Sequence, residues 1–210
     1  MDYDSTTFDE ERILDAASLL CIASNHKTIN SRHIMFAIRI LCHTNSGQLI
    51  MSGTDLIMKY SCGESSNEDY KIKINRLKKQ YDFNPTHKKY KQFVSSKNLN
   101  LSPFASIFII GAKEYFKNHN CQTNDHLNIV EHLVRSTFYV TNCCRRRKIT
   151  IDDVIVATDI LKWLPHSFEG LQILTNEEFI NKIQDNTSNF MLGSGLLQKI
   201  NNTILELNKL

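Results

Sequence analysis

The sequence predicts an almost entirely α-helical chain, and three observations carry that expectation. Glycine and proline are scarce, seven and three among 210 residues, and alternation of apolar and polar residues is nearly absent. Apolar residues recur instead at helical spacing through most of the chain. Finally, two stretches 120 residues apart align without a gap, Lys27 to Leu41 and Arg147 to Leu161. Each joins a basic end to three extended residues (Thr28 to Asn30, Lys148 to Thr150), a polar N-cap and a short helix. The helices are apolar at Ile34, Ala37, Ile38 and Leu41, and at Val154, Ala157, Ile160 and Leu161. A longer amphipathic helix precedes each copy, so the repeating motif is helix, basic loop, helix.

In chain order, Phe8 to Asn25 is a helix with Ile13, Leu14, Ala17, Leu20, Cys21 and Ser24 on one face. The repeated loop and short helix follow, ending near Leu41. A break at His43 to Gly47 precedes a third helix, about Gln48 to Tyr60, and Gly63 to Asn67 closes this unit. Asp69 to Tyr81 is helix-compatible, Asn84 and Pro85 read as a breaker, and a second basic run follows. Ser102 as N-cap with Pro103 in the first helical position starts a helix to Lys117. A polar loop, His119 to Asp125, leads to a helix from Leu127 to Cys144, then the second loop and short helix. Beyond Leu164 come a break at Pro165 to Gly170, a short helix around Glu177 to Ile183, a glycine-punctuated run and a terminal amphipathic segment.

Net charge is only +3, but it is segregated. From Tyr70 to Lys97 nine basic residues (Lys71, Lys73, Arg76, Lys78, Lys79, Lys88, Lys89, Lys91 and Lys97) face one acid, Asp82; that stretch carries +8 and the remainder −5. A second focus is Arg145, Arg146, Arg147 and Lys148, where a helix ends and basic side chains suit its negative pole. Two such clusters flanking a repeat point to phosphate binding rather than to ordinary solvated faces. No apolar run approaches the roughly 20 residues of a membrane span, and the acidic start is unlike a signal peptide. Six cysteines without a C-x-x-C pair read as free thiols in a reducing compartment. No phosphate-cradling glycine loop, metal-ligand spacing or nucleophile and base arrangement is visible, so neither enzyme nor cofactor is expected. His26, His33, Cys42 and His43 read as structural.

Thr28 to Ile34, Ala37 to Leu41 and the run Gly53-Thr-Asp-Leu-Ile-Met-Lys-Tyr60 resemble the second loop and the last two helices of a 2B-type core histone. Asn176 to Ile183 with Gly193-Ser-Gly-Leu-Leu197 resembles the C-terminal part of a 2A-type histone. The order is similar to the fused histone doublets of large DNA viruses, marseillevirus relatives especially. The resemblance implies tandem histone folds paired by a head-to-tail handshake. Their bounds would be a truncated 2B-like unit over residues 1–62, a basic linker over 63–98, a 2A-like histone fold over 99–164, and an insertion, C-terminal helix and docking segment over 165–210. It further implies a structural DNA-packaging protein of the virion nucleoid, acting in the host nucleus or a cytoplasmic viral factory. Its partners would be double-stranded DNA and a 4-type and 3-type histone pair. The competing expectation is a histone-fold scaffold of a transcription-related complex that wraps no DNA, which the low net charge favours.

Carried over by position, the first DNA loop is His26, Lys27 and Thr28 with Arg32, and the second is Arg145 to Lys148 with Thr150. The linker cations Lys71, Lys73, Arg76, Lys78, Lys79, Lys88, Lys89 and Lys91 add to them. Binding of this kind uses the phosphate backbone and DNA deformability, without base contacts. Phe190, Met191, Leu192, Gly193, Gly195, Leu196 and Leu197 would dock on the partner pair, and Glu177 and Glu178 are the remnant of an acidic patch whose 2B-type side is lost at Gln48 and Ser52. The resemblance begins inside the central helix of the 2B-like unit, so its first helix and loop are missing. Two consequences follow. Either the terminal segment (Leu197, Ile200, Ile204 and Leu207) or the linker helix should cover the exposed surface, and Arg145 to Lys148 should lack a partner loop.

Overall fold

The structure, a computed structural model, describes residues 8–42, 45–61, 68–119, 129–161 and 191–192. These hold eight helices and four two-residue strands, in agreement with the all-α expectation. The chain divides into two compact units, Asp2–Asn124 and Asp125–Leu210.

The first unit starts with α1 (Glu10–Ala23), capped by Asp9, whose carboxylate accepts from the Glu11 and Arg12 N–H groups at 3.1 and 3.0 Å. Its buried stripe is Ile13, Leu14, Ala17, Leu20 and Cys21. Strand β1 (Thr28–Ile29) and α2 (Ser31–Leu41) follow, then α3 (Ser46–Ser61), α4 (Glu68–Gln80), α5 (Phe83–Ser95), β2 (Asn100–Leu101) and α6 (Pro103–Asn118). The strands β1 and β2 pair in parallel, Thr28 beside Asn100 and Ile29 beside Leu101. Their apolar members face the core, since Ile29 and Leu101 are both buried. The Asn100 N–H donates to the Lys27 carbonyl and the Ser102 N–H to the Ile29 carbonyl, each at 2.9 Å.

The break expected at Asn84 and Pro85 falls at Tyr81 and Asp82, between α4 and α5; Asn84 and Pro85 themselves lie in the first turn of α5, where a proline's missing N–H has no helical acceptor to lose. Asp82 enters that helix with a left-handed backbone, φ 45°. The helix beginning at Pro103 lies in the first compact unit, packed on α3, α2 and α5. Two glycines explain its closeness to α3. A Cβ at Gly111 would stand 2.8 Å from the Ser52 carbonyl oxygen, and one at Gly53 2.7 Å from the Phe108 ring. The backbones therefore meet where no side chain fits, and the Ser52 hydroxyl donates to the Gly111 carbonyl at 2.8 Å. Around this contact Leu56, Tyr60, Phe83, Ile107 and Ile110 form a cluster with Ile57, Leu77 and Tyr81 at its margin.

The second unit contains α7 (Ile129–Cys143), β3 (Lys148–Ile149), α8 (Ile151–Leu161) and β4 (Met191–Leu192). Helix α7 buries Leu133, Val134 and Val140, while its buried Thr137 and Thr141 donate to carbonyls one turn back, at 2.8 and 3.0 Å. Strand β4 pairs in parallel with β3, Lys148 beside Met191 and Ile149 beside Leu192. The expectation that the second basic loop lacks a neighbouring strand is thus overturned: the late part of the chain supplies one. Parallel strands cannot be joined by a tight turn, so this neighbour has to come from distant sequence.

Candidate nucleic-acid interface

The first loop is built by a helix end. The Asn25 N–H donates to the Ile22 carbonyl and the His26 N–H to the Cys21 carbonyl, both at 2.9 Å. Asn25 itself is left-handed, φ 55°, as a helix-terminating turn of this kind requires. The Cys21 thiol, buried and pushed up to about 11 by burial, closes the turn by donating to the His26 carbonyl at 3.3 Å. After the strand, Asn30 caps α2, accepting from the Arg32 and His33 N–H groups at 3.0 and 3.3 Å. His33 returns the bond, its Nδ1 accepting from the Asn30 N–H at 3.1 Å. This reciprocal cap needs a neutral ring, because a protonated imidazole has no lone pair to offer. The ring is 1% exposed; burial, then the neighbouring His26 and Arg32, lowers its pKa to about 4.

The second loop repeats that path 120 residues later. The Arg145 N–H donates to the Asn142 carbonyl at 3.0 Å and the Arg146 N–H to the Thr141 carbonyl at 3.1 Å, with Arg145 left-handed at φ 56°. Here the cap is charged. Asp153, fully buried, accepts from the Thr150 N–H at 2.8 Å and from the Thr150 hydroxyl at 2.9 Å. Its other oxygen forms an ion pair with Arg146, whose guanidinium also lies 3.4 Å from the Thr150 hydroxyl. Arg146 and Thr150 are therefore brought together as a brace. Arg145, Arg147 and Lys148 are left exposed on the outside of the turn.

In the first loop His26, Lys27 and Thr28 are exposed, while Arg32 and Arg39 lie over the Phe36 ring, 5.1 and 5.3 Å from its centroid. The outer face of this loop thus offers one full positive charge, Lys27, where the second offers three.

Of the linker cations, Arg76, Lys78 and Lys79 on α4 and Lys88, Lys89 and Lys91 on α5 are exposed. The side chains of Lys71 and Lys73 lie outside the described residues. Lys89 approaches Glu11 at 3.7 Å and Glu10 at 4.0 Å. Lys97 pairs with Asp15, and Lys113 with Glu10. Three lysines are thereby spent tying α5, α6 and the turn between them to α1. Sequence reasoning missed Asp153, although the spacing Thr150-x-x-Asp153 is a capping-box signal. It also missed Asn100, which stands beside Thr28 only because of the strand pairing.

Glu177, Glu178, Phe190, Gly193, Gly195, Leu196 and Leu197 lie outside the described residues. Met191 and Leu192, expected to face a separate protein, lie along β3 in their own unit. Among the described residues no group of three or more His, Cys, Asp or Glu can hold a metal ion, and no helix is long and apolar enough to cross a membrane. No family model matches the chain, and neither does any curated protein or solved structure.

Proposed function

We propose that the chain packages double-stranded DNA as a fused histone doublet, standing in for a 2A–2B pair in a viral nucleosome-like particle. The observation that carries this reading is the second loop: a left-handed turn with Arg145, Arg147 and Lys148 exposed, steadied from beneath by the Arg146–Thr150–Asp153 brace. Cations on a rigid turn bind phosphates without reading bases, and affinity then falls steeply with salt. The first loop and the exposed cations of α4 and α5 add weaker contacts. In this reading α1, β1 and α2 are the end of the 2B-like fold, and α5, the turn to β2 and α6 are the start of the 2A-like one. The two strands are then the loops that a handshake sets side by side. The partner would be a 4-type and 3-type histone pair, and the setting a virion nucleoid or the site of viral DNA replication.

The test is reconstitution with such a histone pair and duplex DNA, followed by nuclease digestion. A protected fragment of defined length is the expected result. A second reading, a scaffold that wraps no DNA, is favoured by the pairing of Lys89, Lys97 and Lys113 with acids and by the net charge of only +3. A stable protein complex with no protected fragment would establish that reading instead.

A further inference from the structure

The two units contain the same sequence of parts. Each runs from a helix through a left-handed turn into a strand and a short helix, and each later returns a second strand that pairs in parallel with the first. In the first unit the returning strand is β2, 72 residues after β1; in the second it is β4, 43 residues after β3. The correspondence extends into the sequence around the returning strands. Leu99, Leu101, Ala105, Ile109 and Phe116 are all buried in the first unit. The residues 91 places later are Phe190, Leu192, Leu196, Ile200 and Leu207, all apolar. Ile107, Phe108, Ile110 and Ala112, buried as well, correspond to the polar Gln198, Lys199, Asn201 and Thr203, so the likeness is confined to one apolar stripe.

We infer that β4 is the missing half of the second DNA-binding loop: Met191 and Leu192 brace Lys148 and Ile149 as β2 braces β1, making the late part of this chain a component of its own phosphate site. In the doublet reading, β4 then stands beside the second loop where the first loop of a 2B-type partner would be expected. A two-residue strand has little stability alone, because isolated strand pairs are marginal in water. Pairing holds Lys148 and the turn before it in one conformation, so their cations meet DNA with less ordering left to do. The assignment replaces docking on a separate histone pair as the role of Met191 and Leu192. It rests on the proposed DNA binding by Arg145 to Lys148.

The experiment is amide hydrogen exchange on the full chain, alone and with a random-sequence duplex, followed by salt-titrated binding of two variants. Met191 stands where Asn100 stands in the first unit, and the Asn100 N–H donates across the strands. Met191→Pro removes the equivalent donor without changing net charge. Duplex DNA should slow exchange in residues 145–150 and 190–193 together. Met191→Pro should weaken binding severalfold and lower the salt slope by about one to two, and should add little in an Arg147→Ala background. Protection of 145–150 alone, with Met191→Pro binding like wild type, would overturn the inference and leave DNA binding standing. If Met191→Pro unfolds, protection in the unaltered chain still decides. Absence of DNA binding at any salt would overturn both readings at once.

Discussion

In the first unit the turn after α1 is held by neutral groups, the Asn30 amide and the buried His33 ring; in the second the equivalent positions carry Thr150 and Asp153, and Arg146 replaces His26. Backbone path, left-handed residue and strand pairing are alike. Helix geometry imposes the likeness, since both turns must end one helix and satisfy the first N–H groups of the next. The difference teaches how one scaffold separates stability from charge. A histidine cap adds no fixed charge to the surface above it. An aspartate cap admits an arginine partner beneath the turn, and the neutralised pair leaves the three outer cations to act together.

The largest effect should come from the charges that distinguish the loops. Replacing Arg145, Arg147 and Lys148 by Ala together should lower duplex affinity at least a hundredfold at low salt and reduce the salt slope by about 2.7. Lys27→Ala should reduce it by about one at most. Salt titrations of both variants measure this, and equal losses would erase the asymmetry.

Removing the brace is next. Asp153→Ala leaves Arg146 without its carboxylate and the Thr150 N–H without a cap, and should destabilise the second unit by about 2–4 kcal/mol, read by urea denaturation. Asp153→Asn keeps an acceptor for the cap and should lose less. Equal losses for the two variants would mean that the ion pair with Arg146, which Asn cannot form, carries the stability rather than the cap's hydrogen bonds.

Acid should weaken the first loop. A histidine in the unfolded chain takes up its proton near pH 6.5, whereas folded His33 does so only near pH 4. The unfolded state therefore binds the extra proton between those values. Stability of the first unit should fall as the pH drops through that window, by about 3 kcal/mol at its lower end. His33→Gln keeps an acceptor for the Asn30 N–H and should flatten this dependence. Urea midpoints at pH 7 and pH 4.5 give the comparison, and an unchanged slope in His33→Gln would assign the acid loss to another group.

The smallest effect belongs to the linker. Lys89 faces Glu10 and Glu11, and so exposed a pair contributes under about 1 kcal/mol. Lys89→Ala should therefore barely move the melting temperature, and it should weaken DNA binding less than Lys88→Ala or Lys91→Ala does. A larger loss would show that Lys89 leaves its acids for phosphate.

Much of this was legible in the residues. The 120-residue repeat marks both turns, because a helix end, an extended pair and a polar cap are local events governed by neighbours a few residues away. Ser102 and Pro103 announce α6 for the same reason. Pro85 marks a real break between α4 and α5, but the helix it helps to start went unread because a proline in a first turn and one after a helix look alike in sequence.

Short-range spacing and composition were enough for every described helix except α5, for the two turns and for the uneven distribution of basic residues. They could not say which unit owns α6, that Gly53 and Gly111 exist to let two backbones touch, or that Lys148 has a neighbour at Met191. Those facts arise from contacts between segments tens of residues apart. Their entropy of closure is recovered only by packing and pairing in three dimensions, and no local pattern records which distant partner recovers it.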